Sequence, residues 1–396
     1  MTTKIKTWTI VTLLASSSLT IMSSATIAPS LPQISEVFAN APYADVLSRL
    51  ILTIPGLTIA LTAPFAGYFI DRAGRKNFII AGLILYGITG SAGLYLDSLS
   101  YLLASRALLG LAVAAVMTSC TTLIGDYFAG EQRNRIIGMQ SSSMALGGVV
   151  FIILGGLLAD YSWRGPFSLY LIALALVIPA ILFIDEPSRK PVPGHQPDSG
   201  APRHLSIFSA ILIHITGFAG MMFFYMVPVQ IPFLLKEFEA VSNTKVGIAI
   251  ASSTLIGAIV SSFYQKIKHR FLFPTIYAFT FCLMACGFWL IGIADSYITT
   301  VAGLLVNGLG MGMMMPNGSS WIMAITPLHM RGRIVGTLTT AVFLGQFCSP
   351  IISQPLTAKT GINNTFLLCS YMTLVIGILF AISARRLHKT SIKELT

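Results

Sequence analysis

The chain has 396 residues, of which 55% are hydrophobic and only 10% are charged. A soluble domain carries about 25% charged residues, so this chain has too few charges to cover a surface that faces water. The composition excludes an ordinary soluble protein and predicts an all-α polytopic membrane protein.

Apolar runs of roughly 20 residues, long enough to cross a hydrocarbon core of about 30 Å, recur along the whole sequence. The first run follows Lys4 and Lys6 and is too long for a signal peptide, so it is interpreted as a transmembrane helix. The apolar runs and their polar breaks predict twelve spans, at residues 8–29, 47–70, 77–96, 99–124, 135–160, 165–185, 206–235, 245–265, 272–293, 297–323, 333–357 and 362–384.

Between the sixth and seventh spans lies a segment with five prolines and scattered charges. Such a segment cannot bury apolar surface and is typical of a flexible linker. It divides the chain into an N-terminal bundle (1–185), a linker (186–205) and a C-terminal bundle (206–396).

The basic residues are distributed unequally between the two sides of the membrane. Nineteen of the 25 Lys and Arg residues lie in the termini, the linker and the even-numbered turns. The positive-inside rule therefore places both termini and the linker in the cytoplasm, and we expect the bacterial inner membrane. This basic girdle explains the net charge of +11 without a nucleic-acid partner.

The turn after the second span, GYFIDRAGRK (residues 67–76), concentrates charge between two apolar runs. Gly67 allows a close approach between helices, and Gly74 suits a tight turn that needs positive φ. An ordinary positive-inside loop would explain the Arg and Lys residues, but it leaves the glycines and Asp71 unexplained.

Two ionisable residues are predicted to lie within the membrane: Arg106 in the fourth span and His214 in the seventh. Each costs about 2.5–3.5 kcal/mol or more at that depth, so each is a candidate functional residue. No Asp or Glu maps deep into any span. A fixed positive charge beside a titratable His suits an anionic or zwitterionic cargo.

Further polar side chains are predicted on inward helix faces and are candidate cargo contacts, although bonds between helices are the alternative for each. They are Gln140, Tyr225, Gln230, Asn307, Asn317 and Gln346. The methionine run after Gly310 is better explained by packing than by copper. No metal or other cofactor is predicted, and no phosphate-binding loop for ATP occurs.

The two halves of the chain resemble each other. RNRIIGMQSSSMALGG (residues 133–148) aligns without gaps with RGRIVGTLTTAVFLGQ (residues 331–346), an offset of 198 positions. Gly110 matches Gly308 at the same offset. Six helices repeated in parallel and joined by a linker are typical of two-bundle transporters.

GYFIDRAGRKNFI (residues 67–79) resembles the signature G-x-L-x-D-R-x-G-R-K of the major facilitator superfamily, with Phe69 in place of Leu. The resemblance implies two six-helix bundles that alternate access to a central cavity. It also implies that Asp71, Arg72 and Arg75 latch the bundles with Asp126, and that Arg106 and His214 face one cavity.

Two other stretches resemble motifs of this family. RALLGLAV (residues 106–113) is similar to the R-x-x-x-G motif of proton-coupled members. Gly147, Gly155 and Gly156 match the helix-packing motif of the twelve-span drug:proton antiporter branch, although Phe151 and Ile152 stand where that motif has Gly-Pro.

The sequence therefore predicts a secondary transporter, and proton-coupled efflux of a small organic molecule is the favoured function. Import or export of an anionic metabolite, such as a carboxylate siderophore, is the alternative. A membrane-embedded enzyme would need clustered acids or His–Asp pairs at membrane depth, which the spans lack, so no enzymatic activity is predicted. A monomer is expected from the habit of the family.

Overall fold

The computed structural model describes residues 7–187, 207–238, 241–327 and 330–393. Within these ranges, the side chains at positions 64, 66–69, 71, 73 and 385–393 are outside the description. Most of the predicted linker, from residue 188 onward, lies outside the described residues. Its first residues, Glu186 and Pro187, are described.

The described chain folds into fourteen α-helices. They are α1 (Thr7–Ala25), α2 (Leu31–Val37), α3 (Ala44–Ala73), α4 (Arg75–Gly90), α5 (Leu99–Tyr127), α6 (Gly130–Tyr161), α7 (Ile172–Phe183), α8 (Ile207–Lys236), α9 (Asn243–Ser262), α10 (Tyr264–Lys268), α11 (Phe273–Gly292), α12 (Tyr297–Ile325), α13 (Arg331–Thr360) and α14 (Ile362–Lys393). Short 3₁₀ turns extend three of the spans, at Ala28–Ser30, Ser91–Leu94 and Gly165–Leu171.

The twelve predicted spans are confirmed, since twelve helical segments among the described residues are long and apolar enough to cross a membrane. The first is longer than predicted and runs from Thr7 to Val37. It is interrupted near its middle because Pro29 has no N–H to donate to a helix. The chain there forms a 3₁₀ turn and continues as α2.

The parallel repeat is visible in how the glycines pack. A Cβ on Gly110 of α5 would collide with the backbone of Pro55 on α3. A Cβ on Gly308 of α12 would collide with the backbone of Ser253 on α9. The partners Pro55 and Ser253 differ by the same 198 positions as the two glycines. The corresponding pair of helices therefore packs in the same register in each half.

The two halves meet along α3 with α13 and along α6 with α9. We call the end of the molecule that holds Gly74, Arg133 and Arg331 the basic end, and the other end the opposite end. At the opposite end the halves are in contact, and Gly156 packs there against the backbone of Asn243. Towards the basic end, much of the first part of α6 is exposed.

Glycines bring α6 close to the first span. A Cβ on Gly147 would lie 2.6 Å from the Cβ of Ser18, and a Cβ on Gly155 would overlap the carbonyl oxygen of Thr26. Gly138, on the same helix, has nothing within 4 Å of such a Cβ. The packing that the sequence motif implied for these glycines thus has a steric basis at Gly147 and Gly155.

We expect Gly155→Ala to lower the free energy of unfolding by about 1–3 kcal/mol, because the added methyl group overpacks a backbone contact. Gly138→Ala is the matched control. It should be neutral or stabilising by up to about 1 kcal/mol, since Ala favours helix where nothing is displaced. Chemical unfolding in mixed micelles measures both, and equal stability of the two variants would contradict the packing described here.

Candidate functional site

A cavity of about 270 Å³ lies between the two halves, near the middle of the membrane-spanning region. Helices α1, α3, α5, α6, α8, α9, α12 and α13 all contribute to its wall. Four methionines line it (Met117, Met144, Met221 and Met315), together with the aromatic side chains Phe224, Tyr225 and Phe343. Of the described residues in its wall, none carries a charge at neutral pH.

Hydroxyl and amide groups interrupt this apolar wall. The hydroxyl groups of Ser24 and Tyr225 lie 3.0 Å apart and join α1 to α8. Gln346 Oε1 and Ser253 Oγ are buried and have no hydrogen-bond partner among the described residues. The cavity therefore offers a largely apolar, adaptable surface with free hydrogen-bonding capacity at two points.

Of the eight predicted cargo or proton-coupling residues, Tyr225 and Gln346 line this cavity. Gln140 Nε2 donates to Ser17 on α1, and Gln230 Nε2 donates to Ser353 on α13. These two side chains thus bridge helices, which was the alternative interpretation.

The two predicted asparagines lie elsewhere on α12. Asn317 accepts from Tyr264 and donates to the carbonyl of Phe273. Asn307 is fully buried where α12 packs against Gly287 of α11, and neither of its amide atoms has a partner among the described residues. Neither asparagine lines the central cavity.

Arg106 is fully buried, but it lies outside the cavity wall, within the N-terminal half. Its guanidinium carbon is 4.8 Å from the ring centre of Phe167 and 4.7 Å from that of Tyr170. One Nη donates to the carbonyl of Gly90, at the C-terminus of α4, where carbonyls lack helical partners and a cation is favoured. Aromatic faces and a helix end, rather than a carboxylate, accommodate this charge.

Arg106, Phe167, Tyr170 and Tyr86 form a cluster that supports the cavity wall indirectly. The hydroxyl of Tyr170 donates to the carbonyl of Ser23 at 2.9 Å, and the hydroxyl of Tyr86 donates to the carbonyl of Leu19 at 2.6 Å. Ser23 is itself part of the cavity wall. The cluster therefore fixes the stretch of α1 that faces the cavity, and Arg106 acts as a positioning residue.

His214 lies between α8 and α13, away from the cavity wall. Its Nδ1 is 2.7 Å from the carbonyl of Ala210, and its Nε2 is 2.9 Å from the hydroxyl of Thr337. Both ring nitrogens thus have a partner. The resemblance had implied that Arg106 and His214 share one pocket, whereas the structure places them in different halves and neither in the cavity wall.

A second buried arginine was missed by the sequence analysis. Arg49 is only 5% exposed, near the start of α3. Its guanidinium stacks 3.7 Å above the ring of Phe233 on α8, and its Nη1 donates to the carbonyl of Asp45. Its position at the very start of a predicted span was the available signal.

The turn between α3 and α4 forms the predicted gating motif. Gly74 has φ +84°, the positive value predicted for it. Arg75 pairs with the carboxylate of Asp126 at the end of α5, and Arg72 is exposed on the last turn of α3. Gly67 and the side chain of Asp71 lie outside the description, so the latch implied by the resemblance remains a prediction.

Glu186, which the sequence analysis assigned to the linker, binds this turn. Its two carboxylate oxygens accept hydrogen bonds from the backbone N–H groups of Arg75, at 2.8 Å, and Lys76, at 2.7 Å. These are the first two N–H groups of α4, which have no helical acceptor. Lys76 Nζ also donates to the carbonyl of Ile181. The end of the sixth span is thereby fastened to the gating turn.

At the opposite end, a carboxylate joins the two halves. Asp160, at the end of α6, accepts from the N–H of Asn243, at 2.7 Å, and the N–H of Thr244, at 3.2 Å, at the start of α9. The Thr244 hydroxyl also contacts it. A weaker ion pair, Lys236 with Glu36 at 3.8 Å, joins the halves nearby. The structure is thus closed at the opposite end.

We expect Glu186→Ala to expose the first amides of α4, because no other carboxylate caps them in the described structure. Loss of such a cap costs about 0.5–2 kcal/mol, and hydrogen exchange at Arg75 and Lys76 should accelerate. Asp185→Ala is the matched control, since Asp185 contacts Tyr127 through its main-chain carbonyl, which the substitution keeps. Unchanged exchange in Glu186→Ala would show that the cap is not formed.

The family model of the Major Facilitator Superfamily matches residues 13–293 and, in a second match, residues 213–394. Multidrug resistance protein 1 of Bacillus subtilis is 24% identical over 336 residues, which cover 83% of this chain and 84% of the relative. Quinolone resistance protein NorA of Staphylococcus aureus is 24% identical over 314 residues, covering 78% and 80%.

Among solved structures, a bacterial homolog of the human lysosomal transporter Spinster, in an inward-facing and occupied conformation, superimposes with a TM-score of 0.78. It shares 16% sequence identity, and the alignment covers 98% of each chain. At this identity the likeness concerns the fold alone. The signature turn, the repeated bundles and the family match agree, and the chain belongs to the Major Facilitator Superfamily of membrane transporters.

Proposed function

We propose that this transporter exports lipophilic small molecules by proton-coupled alternating access. The observation that carries the proposal is the central cavity, whose wall is rich in Met and Phe and has no charged residue among those described. Its volume of about 270 Å³ is close to the lower limit of about 300 Å³ for small-molecule sites. The two relatives named above are resistance proteins for several drugs and for quinolones, which fits such a cargo.

The topology proposed from the basic residues is compatible with export. With the basic end, the linker (186–205) and both termini in the cytoplasm of a bacterium, the structure is closed towards the outside by Asp160 and by the pair Lys236–Glu36. In this state an exporter would take up its cargo from the cytoplasm. The division into bundles 1–185 and 206–396 provides the two bodies that move, and a monomer suffices because one chain encloses the whole cavity.

Proton coupling is proposed to act through carboxylates at the gates. Each Asp and Glu whose side chain is described lies near a helix end or in a loop. Asp160 accepts N–H bonds across the two halves through both carboxylate oxygens, and a proton on either oxygen would compete with one of these bonds. Protonation from the outside would thus favour opening of the opposite end, and an inward proton gradient would drive the cycle when that proton leaves towards the cytoplasm.

The alternative cargo, an anionic metabolite, depended on Arg106 and His214 facing the cavity. The structure gives Arg106 an aromatic cage and gives His214 two hydrogen-bond partners away from the cavity wall. With no described cation in that wall, desolvating an anion there would go uncompensated. We therefore favour neutral or weakly polar lipophilic molecules over carboxylates.

A transport assay in proteoliposomes tests this function. The purified protein is reconstituted with a trapped pH dye, and three probes are compared under an imposed pH gradient: a neutral lipophilic dye, a lipophilic cation and a hydrophilic tricarboxylate. We expect proton movement with the neutral dye and no response to the tricarboxylate. The reverse pattern would contradict the proposal and support the anion alternative.

Filling the cavity should reduce cargo affinity. In Met221→Trp the larger ring occupies space in the wall, and overpacking of about 1–3 kcal/mol corresponds to a roughly five- to 150-fold weaker binding of the neutral dye. Met372→Trp is the matched control, because Met372 lies on the outer face of α14 with 52% exposure. Equal dye affinity in both variants would show that the cargo binds elsewhere.

A further inference from the structure

A row of buried polar side chains connects the central cavity with the closed opposite end. It comprises Arg49 and Thr53 on α3, Gln230 on α8, and Ser349 and Ser353 on α13, and we call it the polar seam. Each of these residues is at most 5% exposed. The seam lies where the two halves meet, since α3 belongs to the first half and α8 and α13 to the second.

Contacts join the three helices of the seam. Gln230 Nε2 donates to Ser353 Oγ at 3.1 Å, and Phe233, one turn further along α8, lies beneath the guanidinium of Arg49. Helices α3 and α13 are antiparallel, with Thr340 bonded to the carbonyl of Ala60 and Gln346 packed on Gly56.

From the same antiparallel register, followed towards the opposite end, we infer that Thr53 lies beside Ser349 and Arg49 beside Ser353. The seam would therefore run from the neighbourhood of Gln346, in the cavity wall, to Arg49.

Hydrogen bonding in the seam is incomplete. Arg49 Nε, Thr53 Oγ1, Gln230 Oε1 and Ser349 Oγ are buried and have no partner among the described residues. Some buried polar groups inside one half also lack a partner, such as the amide of Asn307, while others are bonded: Ser370 on α14 donates to the carbonyl of Ala285 at 2.8 Å. A buried polar group without a hydrogen-bond partner is unfavourable. The closed state therefore leaves the polar groups of the seam incompletely stabilised.

We propose that the polar seam is a second cargo subsite, which forms when the opposite end opens and receives a hydrogen-bond-accepting oxygen, such as a ketone or ether oxygen, of an otherwise lipophilic molecule. Three of the four unpartnered groups, on Arg49, Thr53 and Ser349, are able to donate to such an oxygen. The cargo would pass from Gln346 in the cavity to these donors on its way out. This inference rests on the proposed export function.

Opening of the seam is tested by cysteine labelling, which needs no cargo. Ser349→Cys is introduced after the five native cysteines are replaced, and a hydrophilic maleimide is applied to the protein in lipid nanodiscs. Ser370→Cys is the matched control, because Ser370 is 5% exposed within one half. Asp160→Ala is then added to each variant, since it removes the carboxylate that joins the halves at the opposite end.

We expect Asp160→Ala to raise the labelling rate of Ser349→Cys by about tenfold, because the rate follows the open population. The control should stay unreactive. Labelling of Ser349→Cys that remains as slow as that of Ser370→Cys, with and without Asp160→Ala, would overturn the opening of the seam.

Cargo recognition in the seam is tested with two matched lipophilic probes, one with a ketone and one with a methylene group in its place. In the unmodified protein the ketone probe should leave faster. Arg49→Met should reduce this advantage by about tenfold or more, and Ser349→Ala by about fivefold, the usual effects of losing one hydrogen bond to a charged and to a neutral donor. Equilibrium binding in the cavity should be unchanged. An undiminished advantage in both variants would overturn the subsite.

The experiments distinguish a wrong seam subsite from a wrong export function. If neither probe binds or moves in the unmodified protein, the export function is wrong, whereas the labelling result still reports on the seam. If both probes are exported and Met221→Trp weakens their binding, but the two seam variants change nothing, the export function stands and the subsite is wrong.

Discussion

In the hydrocarbon layer no water is available, so a charge or hydrogen-bonding group is stabilised there only by partners inside the protein. This constraint explains where the ionisable residues of the chain lie. The carboxylates Asp126, Asp160 and Glu186 stand at helix ends, where they bind an arginine or the free N–H groups of a neighbouring helix. Among the described residues, Asp97 likewise pairs with Arg164 near helix ends within the first half.

The two buried arginines obey the same constraint in another way. Both rest on aromatic faces and give one hydrogen bond to a main-chain carbonyl: Arg106 at the end of α4, and Arg49 near the start of α3. Arg106 lies within one half and steadies the wall of the cavity through Tyr170. Arg49 lies between the halves, so any movement that separates α3 from α8 must break its contact with Phe233. The contacts of Arg106 can therefore persist while the halves move, whereas the contact of Arg49 with Phe233 must form and break.

Much of the fold was predictable from the sequence, because hydropathy and glycine spacing act locally. The twelve spans were found, and the offset between Gly110 and Gly308 recurs in their backbone partners. The site was less predictable, since the wall of the cavity depends on how each helix is rotated. Arg106 has a depth that suits a cargo contact, yet its side chain points into its own half. Glu186 was assigned to the linker because its hydrogen-bond donors cannot be recognised from its own neighbourhood in the sequence. They are backbone N–H groups on a turn more than a hundred residues earlier.

The central claim is that cargo binds in the uncharged cavity between the halves. It is tested most directly by determining the structure of the protein with a neutral lipophilic probe that carries a heavy atom, such as bromine, at saturating concentration. The account predicts that the bromine signal lies between Tyr225, Gln346 and Met221, with the probe in contact with the methionine and aromatic wall. A probe found beside Arg106 or His214 instead, with the cavity empty, would contradict it.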